Sequence, residues 1–152
     1  MPLTIRPASL EDMQDIFDWR NDALSRAMFK DSGTVSWDNH VTWFQKKLQS
    51  SDSQLFMALE NNQKIGIVRF DANQEQNGFE VSINLNPECR GKKLSCPALD
   101  AAIEEFAKIH PDRLTATVKH SNPPSLKLFA KCGFKQTSSD HEFVYLYRDI
   151  EI

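Results

Sequence analysis

Leu85-Asn86-Pro87-Glu88-Cys89-Arg90-Gly91-Lys92-Lys93-Leu94-Ser95 joins an alternating stretch to one of helical period. Before it, Glu80, Ser82 and Asn84 alternate with Val81, Ile83 and Leu85, which predicts a strand over Phe79–Leu85. Gly78 opens that strand and Pro87 ends it. After the turn, Leu99, Ile103, Phe106 and Ala107 share a helical stripe that must stop before Pro111. A turn at a helix start offers free backbone N–H groups at the positive end of the helix dipole, a ready phosphate site. Arg90, Lys92 and Lys93 add cations to it. The same charges also read as a solvated basic turn.

The rest of the chain organises around this unit. Leu3–Arg6 reads as a strand ended by Pro7. Ser9-Leu10-Glu11-Asp12 resembles a helix N-cap with an acid three residues on, and Met13, Ile16 and Phe17 follow at helical spacing. A second amphipathic helix starts near Ser36, with Val41, Phe44 and Leu48 on one stripe. Gln54–Leu59 and Lys64–Phe70 flank Asn61-Asn62, a hairpin signal. Leu114–Val118 is strand-prone, Ser125–Lys131 predicts a short helix with Gly133 just past its end, and Phe143–Tyr147 is the last strand. The order β-α-α-β-β-β-α-β-α-β mixes hairpins with a strand–helix–strand crossover. The expected class is α/β (α+β mixed), with a mixed sheet, parallel at the crossover and antiparallel elsewhere.

The chain has 152 residues, 40% hydrophobic and 26% charged, enough for one core spanning residues 1–152. It shows no repeat or linker, so a single domain is expected. With 18 Lys plus Arg against 21 Asp plus Glu, the net charge of −3 argues against wholesale nucleic-acid binding. No apolar run is long enough for a membrane span and no secretory leader is evident. Three cysteines without framework spacing suggest a reducing cytoplasm, and His40 and His120 lack the company of metal ligands, so no metal is assigned.

A second segment changes the weight of the first. Asn122-Pro123-Pro124-Ser125-Leu126-Lys127-Leu128-Phe129-Ala130-Lys131-Cys132-Gly133-Phe134 alone is a loop, a helix and a glycine cap. Taken in order, the two segments resemble the GNAT superfamily of acetyl-CoA-dependent N-acetyltransferases. There a strand leads into Gln/Arg-x-x-Gly-x-Gly/Ala, and Asn-x-x-Ser/Ala-x-x-Leu-Tyr-x-x-x-Gly-Phe follows. Arg90, Asn122, Ser125, Leu128, Gly133 and Phe134 match, with Ile65-Gly66 and Ile5-Arg6-Pro7-Ala8 upstream. The resemblance implies the GNAT acyl-CoA N-acyltransferase fold, a mostly antiparallel central sheet flanked by helices. It also implies acetyl-CoA held by Leu85, Arg90, Gly91, Lys92, Lys93, Leu94, Ser95, Asn122, Ser125 and Phe129.

Three departures stand out. Lys93 replaces the loop's central glycine and Ser95 the usual Gly/Ala, which costs backbone freedom if positive φ is required. Pro97 sits early in the helix and predicts a shifted or kinked start. Phe129 stands where many relatives carry a Tyr that protonates the departing thiolate. The chemistry can survive that loss, because a thiol leaves well and positioned acid catalysis is worth about 10²–10⁴ in rate. In the mechanism the resemblance implies, the Leu85 N–H stabilises the oxyanion. Glu80 is the candidate base, direct or through water held by Ser82 or Thr117; an exposed carboxylate on a half-solvated strand is the plainer reading.

Asp18-Trp19-Arg20-Asn21, Met28 and Val35–Phe44 resemble more narrowly the N-acetyltransferases of nucleotide-linked amino-sugar biosynthesis, those of the pseudaminic acid route above all. That implies an acceptor of the UDP-4-amino-4,6-dideoxy-hexose type, contacted by Arg20, Asn21, Met28, His40 and Trp43. Arg suits a diphosphate, and Trp and Met an apolar wall for a deoxy sugar. Equally, Trp19, Trp37 and Trp43 read as core residues, and Arg20 and Asn21 as a helix-terminal charge and cap. His40 reads as base or substrate contact, and His120 as an exposed loop residue. Two alternatives remain: an acetyltransferase for protein N-termini, which needs an open peptide groove, and a non-catalytic acetyl-CoA-binding module. Expected partners are small molecules, with the chain a monomer or homodimer.

Overall fold

The structure, a computed structural model, describes residues 3–28, 33–73, 78–110 and 112–150. Strand β1 (Leu3–Pro7) leads through a 3-10 turn at Leu10–Asp12 into α1 (Met13–Asn21), α2 (Ala23–Met28) and α3 (Trp37–Gln49). The Ser9 N–H donates to Asp12 Oδ2 at 2.9 Å, which starts the turn, and Ser36 Oγ accepts from the Asn39 N–H at 3.2 Å to cap α3. The hairpin of β2 (Ser53–Glu60) and β3 (Gln63–Asn73) turns on Asn61 (φ 50°) and Asn62 (φ 66°). Both are left-handed, as the turn that suits twisted strands requires.

Strand β4 (Gly78–Leu85), α4 (Ser95–Ala107) and β5 (Arg113–Lys119) form the crossover, followed by α5 (Pro123–Lys131), β6 (Lys135–Ser139) and β7 (Phe143–Asp149). Pro97 causes no displaced start: it is the third residue of α4, where its missing N–H takes no intrahelical bond. The ladder begins directly after it, with the Ala98 N–H on Leu94 O at 3.0 Å. Pro111, expected to stop α4, lies outside the described residues. Gly133, at φ 88°, follows the end of α5 as expected.

Among the described residues seven strands form one sheet in the order β1-β2-β3-β4-β5-β7-β6. Every pairing is antiparallel except β4–β5. Alternation along β2 and β3 sends Phe56, Val68 and Phe70 to one face and Leu55, Met57 and Ile67 to the other. The first face packs on Leu99, Ile103 and Phe106 of α4 and Phe129 of α5. Phe70 and Phe106 stack at 4.1 Å there. The second face packs on Ile16 and Trp19 of α1 and Phe44 of α3, so Trp19 is core.

Two elements were not expected from the sequence. Helix α2 is a six-residue piece, too short to show a period, and β6 is Lys-Gln-Thr-Ser-Ser, exposed at every position and so without alternation.

A buried acid ties the N-terminus to the hairpin. Asp12, with a fully buried side chain, takes both ends of the Arg6 guanidinium at 2.8 and 2.9 Å and Lys64 Nζ at 2.7 Å. Burial pushes its carboxyl up, but the bonds from Arg6, Lys64 and the Ser9 N–H outweigh this and hold it well below 3.8. A depressed folded value gives stability that is full above about pH 4 and drains away as the pH falls through that lower value. Asp12→Asn should cost about 3 kcal/mol near neutrality, because it leaves Arg6 and Lys64 facing a neutral group. In urea titrations it should also flatten the acid limb seen in the parent; equal slopes below pH 4 would refute the assignment.

Candidate active site

The parallel pairing of β4 with β5 covers only Gly78–Arg113, Phe79–Leu114 and Glu80–Thr115. Beyond Glu80, β4 continues beside β3 to Leu85, while β5 continues beside β7 to Lys119. The strands separate, and a cavity of about 690 Å³ opens in the gap, lined by Glu80 to Leu85 on one side and by Thr117 and Val118 on the other. That volume is in the range of small-molecule sites.

On one side the cavity is walled by Arg90 and Gly91 of the turn, Ser95 of α4, and Asn122, Ser125 and Phe129 of α5. The turn is built on left-handed residues: Gly91 at φ 76° and Lys93 at φ 60°. Lys93 thus holds the conformation a glycine usually supplies, at the cost expected from its side chain. Pro87 and Asn86 start the approach, with Asn86 Oδ1 accepting from the Glu88 N–H at 3.1 Å. Asn122 caps α5, its Oδ1 accepting from the Ser125 N–H at 3.3 Å. Phe129 is buried edge-to-face on Phe134 at 5.0 Å and brings no hydroxyl to the cavity.

Arg90 behaves differently from a free phosphate clamp. Its guanidinium pairs with Asp22 and, at 2.6 Å, with Ser25 Oγ, the residues that open α2. Asp22 also accepts from the Ser25 N–H at 3.0 Å. The Arg90 hydrogen bond is the main cause holding the Asp22 carboxyl below its ordinary value. Lys92 and Lys93, the other cations of the turn, are exposed, lie outside the cavity lining and have no ion pair among the described residues. Leu94 is turned into a small core cluster beside Ile65 and Cys89.

The other side of the cavity is formed by Ile16 and Arg20 of α1, Trp43 of α3, Ile67 and Arg69 of β3, and the polar face of β4. Trp43 carries the Arg20 guanidinium 4.2 Å from its ring centroid and that of Arg69 at 5.2 Å. Arg69 also donates to Asp71 at 2.7 Å. Glu80 Oε2 accepts from Thr117 Oγ1 at 3.1 Å, so two of the expected catalytic residues meet across the gap. Leu85, the third, lines the cavity at the end of β4. Asn84 and Arg69 were not singled out as site residues. Arg69 stands opposite Ser82 in the β3–β4 register, and Asn84 Nδ2 is buried without a hydrogen-bond partner among the described residues.

Three expected acceptor contacts need correction or fall outside view. His40 is fully buried and absent from the lining. Its Nε2 lies 2.9 Å from Met13 O and its Nδ1 3.0 Å from Arg20 Nη1. Since the carbonyl requires Nε2–H, Nδ1 accepts from Arg20, and burial lowers the pKa of the ring. His40 therefore positions Arg20 instead of meeting a substrate. Asn21 also misses the cavity: its amide clips Val35, accepting from the N–H at 2.8 Å and donating to the carbonyl at 2.9 Å. The Met28 side chain lies outside the described residues.

A cleft opened by a parted parallel strand pair, with a positive-φ turn leading into a helix at its edge, is the arrangement that the resemblance to acyl-CoA-dependent acetyltransferases implies. The model of the Acetyltransferase (GNAT) domain family matches residues 2–135, and the chain belongs to that family. The Bacillus subtilis (strain 168) protein YwnH, provisionally named a phosphinothricin acetyltransferase, is 27% identical over 140 residues, 88% of this chain and 85% of YwnH. Spermidine N-acetyltransferase from Vibrio cholerae, solved with CoA and spermine, superimposes with a TM-score of 0.86 at 18% identity, over 97% of this chain and 95% of that one. Campylobacter jejuni N-acetyltransferase PseH, solved with acetyl coenzyme A, gives 0.74 at 20% identity, over 97% and 99%. The protein is an acetyl-CoA-dependent N-acetyltransferase that acts on an amine.

The turn's two charges and its strain separate experimentally. Lys93→Gly should raise stability by up to about 1 kcal/mol by relieving the left-handed residue. Lys93→Gln keeps the strain, and should weaken acetyl-CoA binding and flatten its salt dependence if the charge acts on phosphate. Calorimetry at two ionic strengths and thermal melts read both; equal salt slopes would remove Lys93 from the cofactor site.

Proposed function

We propose that the acceptor is a nucleotide-linked amino sugar of the UDP-4-amino-4,6-dideoxy-hexose type, acetylated on its primary amine. The observation that carries this reading is Trp43 with the Arg20 and Arg69 guanidiniums 4.2 and 5.2 Å from its ring centroid at one side of the cavity. Such a stack offers an apolar, planar wall edged by positive charge, which suits a sugar and its diphosphate. It does not suit a polycation. The cavity lining carries Arg20, Arg69 and Arg90 together with Glu80, and Asp71 and Asp22 pair with Arg69 and Arg90. The spermidine and phosphinothricin acetyltransferases share the fold; the guanidiniums of Arg20 and Arg69 against Trp43 favour an anionic acceptor over a polyamine.

Acetyl-CoA supplies the thioester carbonyl. Amides of the 90–95 turn and the start of α4 would hold its pyrophosphate, with Lys92 and Lys93 at the rim and Asn122, Ser125 and Phe129 along its arm. Glu80, oriented by the Thr117 hydroxyl, takes a proton from the incoming ammonium directly or through a water, so the amine attacks neutral. The Leu85 N–H is the donor assigned to the tetrahedral oxyanion. With phenylalanine at 129, the sulfur departs as thiolate or takes its proton from water; a thiol with a pKa near ~8.5 makes that workable.

Screening UDP-linked amino sugars, polyamines and amino acids with a free-thiol assay tests the acceptor. Turnover with the nucleotide sugars, lost on Trp43→Ala mainly through KM, supports the reading; preference for spermidine overturns it. Glu80→Gln should depress kcat most at low pH, by about 10²-fold, and an unchanged pH–rate profile would clear Glu80 of the role. Phe129→Tyr should raise kcat if proton delivery to sulfur limits the rate.

A further inference from the structure

A pair of thiols outside the chemistry joins two elements that wall the cavity. Cys96 is the second residue of α4, directly after the phosphate-site turn, and Cys132 closes the C-terminal end of α5. Their sulfurs lie 2.9 Å apart, inside ordinary van der Waals contact, although the residues are 36 apart in sequence. Cys132 is buried and held in place: Arg148 Nη1 donates to its carbonyl at 2.7 Å, and its own N–H bonds Leu128 O at 3.0 Å. Cys96 is half-buried in the first turn of the 13-residue helix α4, its thiol 3.7 Å from Asp100 Oδ2. One sulfur is thus reachable and the other is fixed behind it. This is the arrangement of an attacking and a resolving cysteine.

The geometry points to a reversible disulfide between Cys96 and Cys132, formed by a peroxide and stapling α4 to α5. The Cys96 thiolate attacks one peroxide oxygen. The O–O bond breaks, and the departing hydroxide gains a proton to become water, leaving a sulfenic acid. The Cys132 sulfur then attacks the Cys96 sulfur. The S–O bond breaks, and a second water leaves with the Cys132 proton. Two thiols lose two electrons and one hydrogen peroxide becomes two waters. Burial raises the Cys132 thiol and keeps it from being the first to react. Asp100 completes a possible three-ligand cluster, with ligand atoms within 4.8 Å of one another. Arg148 lies 3.7 Å from that carboxylate, and its charge disfavours a cation there.

The test uses the whole chain. After hydrogen peroxide treatment and unfolding, thiol titration should fall from three groups to one, the survivor being buried Cys89. Mass spectrometry should show the loss of two hydrogens and a linked Cys96–Cys132 peptide that dithiothreitol separates, and the thermal midpoint should rise on oxidation. Cys89→Ser should oxidise like the parent. Cys96→Ser should form no link and show no rise in midpoint, and Cys132→Ser should leave a sulfenic acid on Cys96 that dimedone traps. Linkage through Cys89, disulfide-joined dimers, or oxygen addition without a link in the parent would overturn the proposal. So would zinc that copurifies and shields both thiols until a chelator removes it.

Discussion

The cleft exists because β4 and β5 part after three paired residues. They are held together at one end, where Gly78 lies so close to Arg113 that a β-carbon would sit 2.1 Å from its carbonyl oxygen. Three residues later each strand follows its other neighbour, β4 with β3 and β5 with β7. Both of those ladders are antiparallel and run on past the three-residue contact, so the strands diverge beyond it. The parted strands expose side chains and backbone that a continuous sheet would have paired, and Glu80 and Thr117 face each other just past the point of separation.

Around that opening the two faces of the sheet divide the labour. The face under α4 and α5 is an apolar core in which Phe70 stacks on Phe106, while a separate small cluster of Ile65, Cys89 and Ala98 receives Leu94 of the turn. The face under α1 and α3 ends in a polar patch in which His40 orients Arg20 and Arg20 lies on Trp43. Arg90 joins the halves by leaving its own turn to pair with Asp22 and Ser25. A residue chosen for the cofactor by its place in the motif is committed in space to the first turn of α2.

The fold was legible wherever side-chain period and punctuation spoke: the Asn61-Asn62 hairpin, the helix start near Ser36, the glycine just past α5 and the polar–apolar alternation of β4 all lie as expected. Helix α2 and strand β6 were not, because six residues carry no period and an edge strand exposed on both faces carries no alternation. The gap between β4 and β5 has no local signal at all, since it follows from pairings far apart in the chain. Side-chain direction was the other blind spot. Trp-Arg-Asn places its members at different angles around α1, so Trp19 enters the core, Arg20 reaches the cavity and Asn21 clips Val35. Arg69 is simply another charge in a hairpin until the register sets it beside Ser82 and Trp43.

Two glycines near the cleft are required for opposite reasons. Gly78 is confined by atoms: no side chain, however small, fits beside Arg113 without prising the strands apart. Gly91 has no atom within 4 Å of its would-be β-carbon, and only its torsion angle sets it apart. Mutational tolerance should therefore differ in kind between them. Asparagine or aspartate, which accept the left-handed region, can occupy position 91 at modest cost, as lysine already does two residues later, whereas position 78 admits no substitute.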